Sequence, residues 1–145
     1  MSKYSSAKKG IFVPKHPEKW LQDKIIYRSG LERKWFNYFD KSPSVISIAS
    51  EKIVVPYFDK VKNKIRNYYV DLIIKYKDKN GDIKIKLIEI KTSSEKYKPK
   101  IPKRKTNNYK SSMLTYITNQ CKWEAATEFS KKHGWEFIVL SEKDL

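Results

Sequence analysis

The chain is poor in cysteine and histidine, and its acidic residues are outnumbered by its basic ones. Its one cysteine, Cys121, cannot form an internal disulfide and falls in a predicted helix, where it is most simply a small core residue. His16 and His133 lie apart with no second ligand at a useful spacing, so no zinc site is predicted. Residues 1–10 lack the apolar core of a secretory signal, which together with the single cysteine indicates a protein kept in a reducing cytosol.

Long apolar runs are also missing from the sequence. No stretch approaches the ~20 apolar residues that a membrane-spanning helix needs. No basic helix has the clean apolar face of a membrane-surface binder. We therefore expect no membrane partner, although the chain is strongly charged.

The charge itself is the most prominent property of the composition. The 145 residues include 32 Lys and Arg against 16 Asp and Glu, a formal net charge of +16. An excess this large is typical of proteins that bind a polyanion, most often nucleic acid. Aromatic residues make up 14% of the chain, too many for a disordered basic tail. We expect one domain over residues 1–145, with a basic arm over residues 1–19 and a basic loop over residues 92–110.

Hydrophobic periodicity and turn residues predict two helices and four strands. In chain order these are a helix over residues 29–41, strands over 51–58, 65–76 and 82–91, a helix over 108–132 and a strand over 135–140. Pro56 marks the first strand as an edge strand or the site of a bulge. The order predicts an α/β fold in which a small mixed sheet is flanked by helices.

The turn between the second and third strands fixes which residues face one another. Residues 79–81 form a three-residue loop in which Gly81 supplies the left-handed position. In that register Asp71 lies opposite Glu89, and Lys91, two residues further along, shares their face. A two-residue loop would put the two acids on opposite faces, so this prediction depends on the turn.

Asp71 and Glu89 side by side repel each other unless a cation lies between them. Mg²⁺ prefers oxygen ligands and keeps waters, so one or two carboxylates plus a substrate phosphate are enough to hold it. Such a metal can activate a water for attack on phosphate, and Lys91 can orient that water or stabilise the developing charge. In a basic chain this set predicts cleavage of nucleic acid. The alternative is that Glu89 and Lys91 form an exposed ion pair of little consequence.

Glu32 is the candidate third carboxylate, presented from the first predicted helix. It also lies three residues after Ser29, which is the spacing of a capping box at a helix N-terminus. The sequence leaves both roles open, and they can coexist.

Basic residues outside this set are candidates for contact with DNA. Those singled out are two from the arm and six from the loop: Lys8, Lys9, Lys96, Lys98, Lys100, Lys103, Arg104 and Lys105. Any one of them can be merely solvated, but the loop as a whole favours phosphate contact. The arm lysines fit either a DNA-tracking arm or a disordered tail.

The acids and lysine described above also carry a family resemblance. Glu32, Asp71 and the run Glu89-Ile90-Lys91 resemble the PD-(D/E)XK nuclease superfamily, whose restriction-endonuclease-like core has the order αβββαβ. A longer match is similar to TnsA-like endonucleases, and more closely to the small head-completion nucleases of large tailed phages. This longer match rests on residues 4–10, 26–29, 68–71, 87–91, 118–123 and 134–140. Val70 stands where the superfamily's name has a proline, which is a common variation.

The resemblance implies a Mg²⁺-dependent DNA endonuclease, with Mn²⁺ able to substitute and no small-molecule cofactor. The implied site consists of Glu32, Asp71 and Glu89 as metal-binding acids, the main-chain carbonyl of Ile90 as a further ligand, and Lys91 as the catalytic lysine. Gln120 and Lys122 match more loosely, as polar residues that the second core helix places near the site.

The same resemblance implies a role in phage assembly. The expected partners are double-stranded DNA and head, portal or neck proteins, met in the host cytoplasm or in the head–neck region of the virion. Trimming of the packaged DNA end before tail attachment is the implied task. The alternatives are a structural head or neck protein that binds DNA with a nuclease fold, a transposition subunit that cuts only with a partner recombinase, and a junction resolvase. No base-reading helix is identifiable, so weak sequence specificity is expected.

Overall fold

The computed structural model describes residues 8–145, so Lys3 and most of the 4–10 stretch lie outside the described residues. The helices are α1 (Gly30–Lys41), α2 (Ser93–Lys96) and α3 (Asn107–Lys132). The strands are β1 (Gly10–Ile11), β2 (Ile26–Tyr27), β3 (Val45–Ser50), β4 (Val54–Asp59), β5 (Lys64–Tyr69), β6 (Leu72–Lys77), β7 (Ile83–Ile90) and β8 (Glu136–Leu140). Short 3₁₀ turns cover Pro17–Lys19 and Glu142–Asp144.

The central sheet has four strands in the order β3-β6-β7-β8. Its first three strands are antiparallel, and β8 returns parallel to β7 through the long helix α3. This mixed sheet flanked by helices confirms the predicted fold class. Within residues 8–145, no helix is long and apolar enough to cross a membrane.

The predicted register of the β6–β7 hairpin is confirmed. Gly81 has a φ of +82°, the left-handed conformation that the three-residue loop requires. Leu72 pairs with Ile88, and Lys77 pairs with Ile83 at the turn end. This register places the position of Asp71 opposite that of Glu89.

Two of the predicted strands differ from the structure. The predicted strand 51–58 corresponds to β4, which lies outside the central sheet, while the first strand of the sheet is β3, a segment with no predicted strand. The predicted strand 65–76 is broken into β5 and β6 at Val70 and Asp71. β4 and β5 form a separate antiparallel hairpin, residues 54–69, which we call the ribbon. Pro56 therefore does lie in a strand of a two-stranded sheet, where each strand is an edge.

Hydrophobic side chains pack on both faces of the sheet. Strand β7 shows how the faces divide, because Ile88 and Ile90 belong to the cluster under α1, whereas Leu87 belongs to the cluster under α3. The inner face of the ribbon, with Val55, Tyr57 and Tyr68, joins the α3 cluster. The ribbon is thus held to the body through the same core that lies beneath α3.

The segment before α1 is packed onto the body, which differs from the predicted arm over residues 1–19. Phe12 and Trp20 are buried in the α1 cluster. Asp40, near the end of α1, is fully buried and accepts hydrogen bonds from the amides of Lys15 and His16 and from Trp20 Nε1. The sequence did not predict this packing, because the segment is rich in proline and lysine and its few apolar residues follow no helical or strand period.

Candidate active site

The break between β5 and β6 places Asp71 immediately before the first residue of β6, at one end of the central sheet. Across the break the Glu51 amide donates to the Asp71 carbonyl at 3.1 Å, and the Val70 amide donates to the Ile53 carbonyl at 3.0 Å. Backbone hydrogen bonding therefore continues from the β3–β6 pair to the β4–β5 pair through these irregular residues. Asp71 is fixed at the point where the ribbon leaves the sheet.

Asp71 and Glu89 form the centre of the site. Asp71 Oδ2 accepts a hydrogen bond from the Ile90 amide at 2.8 Å, and Glu89 is only 5% exposed. Burial raises the pKa of Asp71 well above its usual range, and the adjacent Glu89 carboxylate, with which it shares a hydrogen bond, raises it further. Two carboxylates this close need a proton or a cation between them.

Glu32 faces this pair from the first turn of α1. Ser29 caps the helix by accepting a hydrogen bond from the Glu32 amide at 3.1 Å, and its hydroxyl lies 3.3 Å from Glu32 Oε2. Burial and the negative charge of Asp71 raise the pKa of Glu32 to about 7, against the lowering effect of hydrogen bonds from Arg28 and Ser29. Glu32 therefore accepts a hydrogen bond from the capping serine and is an electrostatic neighbour of Asp71.

Two lysines lie on the positive side of the site. Lys91 is half-buried, and its charge lowers the pKa of Asp71. Burial lowers the pKa of Lys122 on α3, Glu89 opposes this, and the charge of Lys91 adds to it. Lys122 Nζ also lies 5.7 Å from the centre of the Tyr68 ring. The charge of Glu89 thus acts on Lys122, while Gln120 on the same helix is exposed.

An ion pair beside the acids had no signal in the sequence. Arg28 Nε lies 2.8 Å from Glu51 Oε1, and its Nη2 lies 3.0 Å from Oε2. Glu51 has a φ of +54°, a left-handed conformation that is unusual for a residue with a side chain. Glu51, Glu32 and Asp71 all raise the pKa of Arg28, in that order. Neither residue stands out by spacing, because their proximity depends on the strand break that the sequence did not predict.

Seven of the eight predicted DNA-contacting residues are exposed. Lys8 and Lys9 are exposed, and the charge of Lys9 helps to lower the pKa of Glu51. In the loop segment Lys96 ends α2 and is half-buried beside Tyr97, and the remaining members are exposed, namely Lys98, Lys100, Lys103, Arg104 and Lys105.

The donor set suits a hard divalent cation held by few protein ligands. Among residues 8–145, no three Asp, Glu, His or Cys side chains form a group that could hold a metal by themselves. Mg²⁺ needs only one or two protein carboxylates when waters and a substrate phosphate supply its other ligands. The charge of Glu89 raises the pKa of Asp71, and a cation bound beside the pair would offset this repulsion. The arrangement therefore fits a metal that is completed by water and substrate. The Ile90 amide is engaged by Asp71, and its carbonyl stays only a predicted ligand.

Two comparisons with known proteins identify the family. The model of the TnsA-like endonuclease N-terminal domain matches residues 42–142. The chain belongs to this family of TnsA-like endonucleases. It is also 35% identical over 142 residues to the head completion nuclease of Enterobacteria phage T4, an alignment that covers 94% of this chain and 92% of that protein.

The TnsA-like region contains most of the described site. It includes Asp71, Glu89, Lys91 and Lys122, together with the whole ribbon. Glu32 and Arg28 precede it.

Proposed function

We propose that this chain is a metal-dependent DNA endonuclease that acts in the completion of phage heads. The observation that carries the proposal is the pair of Asp71 and Glu89, whose adjacent carboxylates require a proton or a cation between them. Lys91 lies beside this pair, and the whole chain has a formal net charge of +16. Membership of the TnsA-like endonucleases supports DNA as the substrate.

Asp71 and Glu89 hold Mg²⁺ or Mn²⁺ in this proposal, with the Ile90 carbonyl as a further ligand. The bound ion supplies a water of lowered pKa and offsets the negative charge of the phosphate. The Ile90 amide keeps Asp71 in position through its 2.8 Å hydrogen bond. Glu32 would add a third negative charge to the site, since it lies close enough to Asp71 for their charges to interact.

Hydrolysis forms one bond between the water oxygen and phosphorus and breaks one bridging phosphorus–oxygen bond. The water must lose a proton, and the departing sugar oxygen must gain one. Glu32, with its pKa of about 7, can accept a proton near neutral pH. The ammonium of Lys91 stabilises the negative charge that builds up on the phosphate, and Lys122 supports it from α3.

The exposed basic residues guide the DNA to this site. The loop residues that precede α3 contact phosphates on one side, and Lys8 and Lys9 contact them near the Arg28–Glu51 pair. Such contacts neutralise phosphate charge without reading bases, so the preference among sequences is weak.

The biological setting follows the T4 relative, which is named a head completion nuclease. We place this chain in the host cytoplasm during assembly, where it meets head, portal or neck proteins and trims the packaged DNA end. A purely structural role in the head or neck and a transposition role with a partner recombinase are the alternatives.

Cleavage of supercoiled plasmid and linear duplex by the purified protein tests the activity. We expect cutting in Mg²⁺ and Mn²⁺, and none with EDTA. Lys91→Ala should abolish cutting, while Lys79→Ala, at the far hairpin turn, should cut like the wild type. Cutting that persists in EDTA, or in Lys91→Ala, would contradict the proposal.

Particle assembly separates the alternatives. Phage that carry Asp71→Ala should assemble filled heads that contain the protein but are not infectious. Infectious particles with this variant would favour the structural role. Cutting that appears only after addition of a partner recombinase would favour the transposition role.

A further inference from the structure

The ribbon presents an apolar face that the body does not cover. Buried and exposed side chains alternate along β4, and three cross-strand pairs with β5 point outward: Val54 with Tyr69, Pro56 with Asn67, and Phe58 with Ile65. All six residues are exposed. Ile65 is 74% exposed and Phe58 50% exposed, which is unusual for residues that share one contiguous face.

The tip of the ribbon is basic. Lys60, Lys62 and Lys64 are exposed, and none has a carboxylate partner within residues 8–145. The one acid of the tip, Asp59, is buried and turned inward, where it accepts hydrogen bonds from the Val61 and Lys62 amides and from Arg66. No nearby carboxylate among the described residues therefore offsets the charge of the tip lysines. The hydrogen bonds of Asp59 stabilise the turn.

The ribbon is directly connected to the candidate active site. The pair of Val54 and Tyr69 lies next to the strand break that carries Glu51 and Asp71. On the inner face, Lys122 lies against Tyr68, and the charge of Glu89 acts on both of these side chains. A ligand bound on the ribbon would therefore lie close to the acidic pair.

We propose that the ribbon enters a groove of duplex DNA beside the scissile phosphate, with its apolar face toward the base edges and its tip lysines on the phosphates. This inference rests on the proposed function and names how its substrate is held. A two-stranded ribbon fits the major groove, which is about 12 Å wide. Strands of six residues span roughly 17–20 Å, which is the rise of five or six base pairs.

Charge and position favour DNA over a protein as the occupant. The tip presents lysines and no exposed acid, which suits the two rows of phosphates that line a groove, and the apolar face can contact the thymine methyl groups on the groove floor. Its continuity with the acidic pair would bring a bound duplex to the site where cutting is proposed. Only Asn67 and Tyr69 on the face can form hydrogen bonds with bases, so the ribbon positions DNA more than it reads sequence.

Duplex binding in EDTA tests the ribbon without requiring cleavage. Phe58→Thr with Ile65→Thr keeps residues suited to strands but removes the large apolar groups. We expect its dissociation constant to rise at least tenfold. The matched control is Ile46→Thr with Ile83→Thr, two exposed isoleucines on β3 and β7, which should bind like the wild type.

The tip is tested separately by a triple variant that combines Lys60→Ala, Lys62→Ala and Lys64→Ala. Because these side chains are exposed, the variant should fold, and it tests DNA contact by the ribbon even if the face variant does not fold. We expect weaker binding and a salt dependence whose slope falls by about one unit for each phosphate that is no longer neutralised. Wild-type binding by the tip variant, or by a folded face variant, would overturn the inference.

The ribbon's role and the proposed function can fail independently. If either variant bound like the wild type while the wild type cut DNA with Mg²⁺, the proposed function would stand and only the ribbon's role would fall. Self-association of the wild type that the face variant abolishes, with DNA binding unchanged, would overturn the inference by assigning the face to a second copy of the chain.

Discussion

Asp71 and Glu89 occupy an arrangement that is unfavourable for the protein by itself. Glu89 is buried and Asp71 is half-buried beside it, and burial together with the charge of Glu89 raises the pKa of Asp71 well above its usual range. Replacing Asp71 by Asn keeps an acceptor for the Ile90 amide and adds a donor for Glu89, so it removes the conflict. We expect Asp71→Asn to raise the free energy of unfolding by about 1–2 kcal/mol at pH 8 in EDTA, because a poorly compensated buried charge is lost. Thermal unfolding measures this, and a lower melting temperature for the variant would contradict the proposed electrostatics.

Glu32 predicts a pH dependence of stability. Its pKa is raised from 4.5 to about 7 in the folded protein, so the folded state binds this proton more tightly than the unfolded state does. The stabilising contribution is therefore complete below pH 4.5 and is lost as the pH rises through about 7. Unfolding of the metal-free protein by urea across this range should show the loss, and Glu32→Gln should show a shallower decline. An identical pH profile for the variant would show that Glu32 titrates normally.

The site residues that could be predicted from the sequence are those whose positions depend on a local turn. Asp71, Glu89 and Lys91 could be placed on one face because the turn with Gly81 sets the register. Arg28 and Glu51 could not be found in this way. Their ion pair depends on a left-handed residue after β3 and on the strand break opposite it, which are tertiary features.

At the scale of elements, the helices were predictable and the strands only partly so. Helix α1 begins after its serine cap as expected, and α3 begins one residue before the predicted position 108. Strand β3 was not predicted, because Ser and Ala interrupt the run of large apolar residues that would indicate a strand. The strand break within residues 65–76 was not predicted, because even-numbered residues are buried on both sides of it. Tyr68 and Val70 belong to the α3 cluster, whereas Leu72 and Ile74 belong to the α1 cluster.

The segment before α1 is a structural element that depends on Asp40. This buried carboxylate accepts three hydrogen bonds, from two amides and the Trp20 indole. We expect Asp40→Ala to lower the free energy of unfolding by about 3–5 kcal/mol, because several hydrogen bonds to a charged group are lost and their buried donors are left unpaired. Urea unfolding measures the loss. Asp23→Ala, at an exposed position, is the control and should be within about 0.5 kcal/mol of the wild type.

The charge of the whole molecule predicts strongly salt-dependent DNA binding. With a formal net charge of +16, much of the affinity should come from the release of counterions. Replacing Lys100, Lys103 and Arg104 by Ala should weaken binding to all sequences alike and reduce the slope of log K against log salt by about one for each phosphate left without its cation. Replacing Lys75, Lys77 and Lys79, at the opposite end of the sheet from the acids, should have little effect. Equal losses in the two triple variants would mean that DNA is bound by charge alone, without a preferred path.

The central claim is that Asp71 belongs to a cleavage site in a protein that also binds DNA. Its most direct test is single-turnover cleavage of duplex DNA in Mg²⁺, with wild type and Asp71→Asn in excess over the DNA and binding measured in the same samples. We predict that the variant binds DNA at least as well as the wild type and cuts it at least about 10³-fold more slowly, because the interactions that stabilise the transition state depend on this carboxylate. Cleavage by Asp71→Asn at a rate close to that of the wild type would contradict the account.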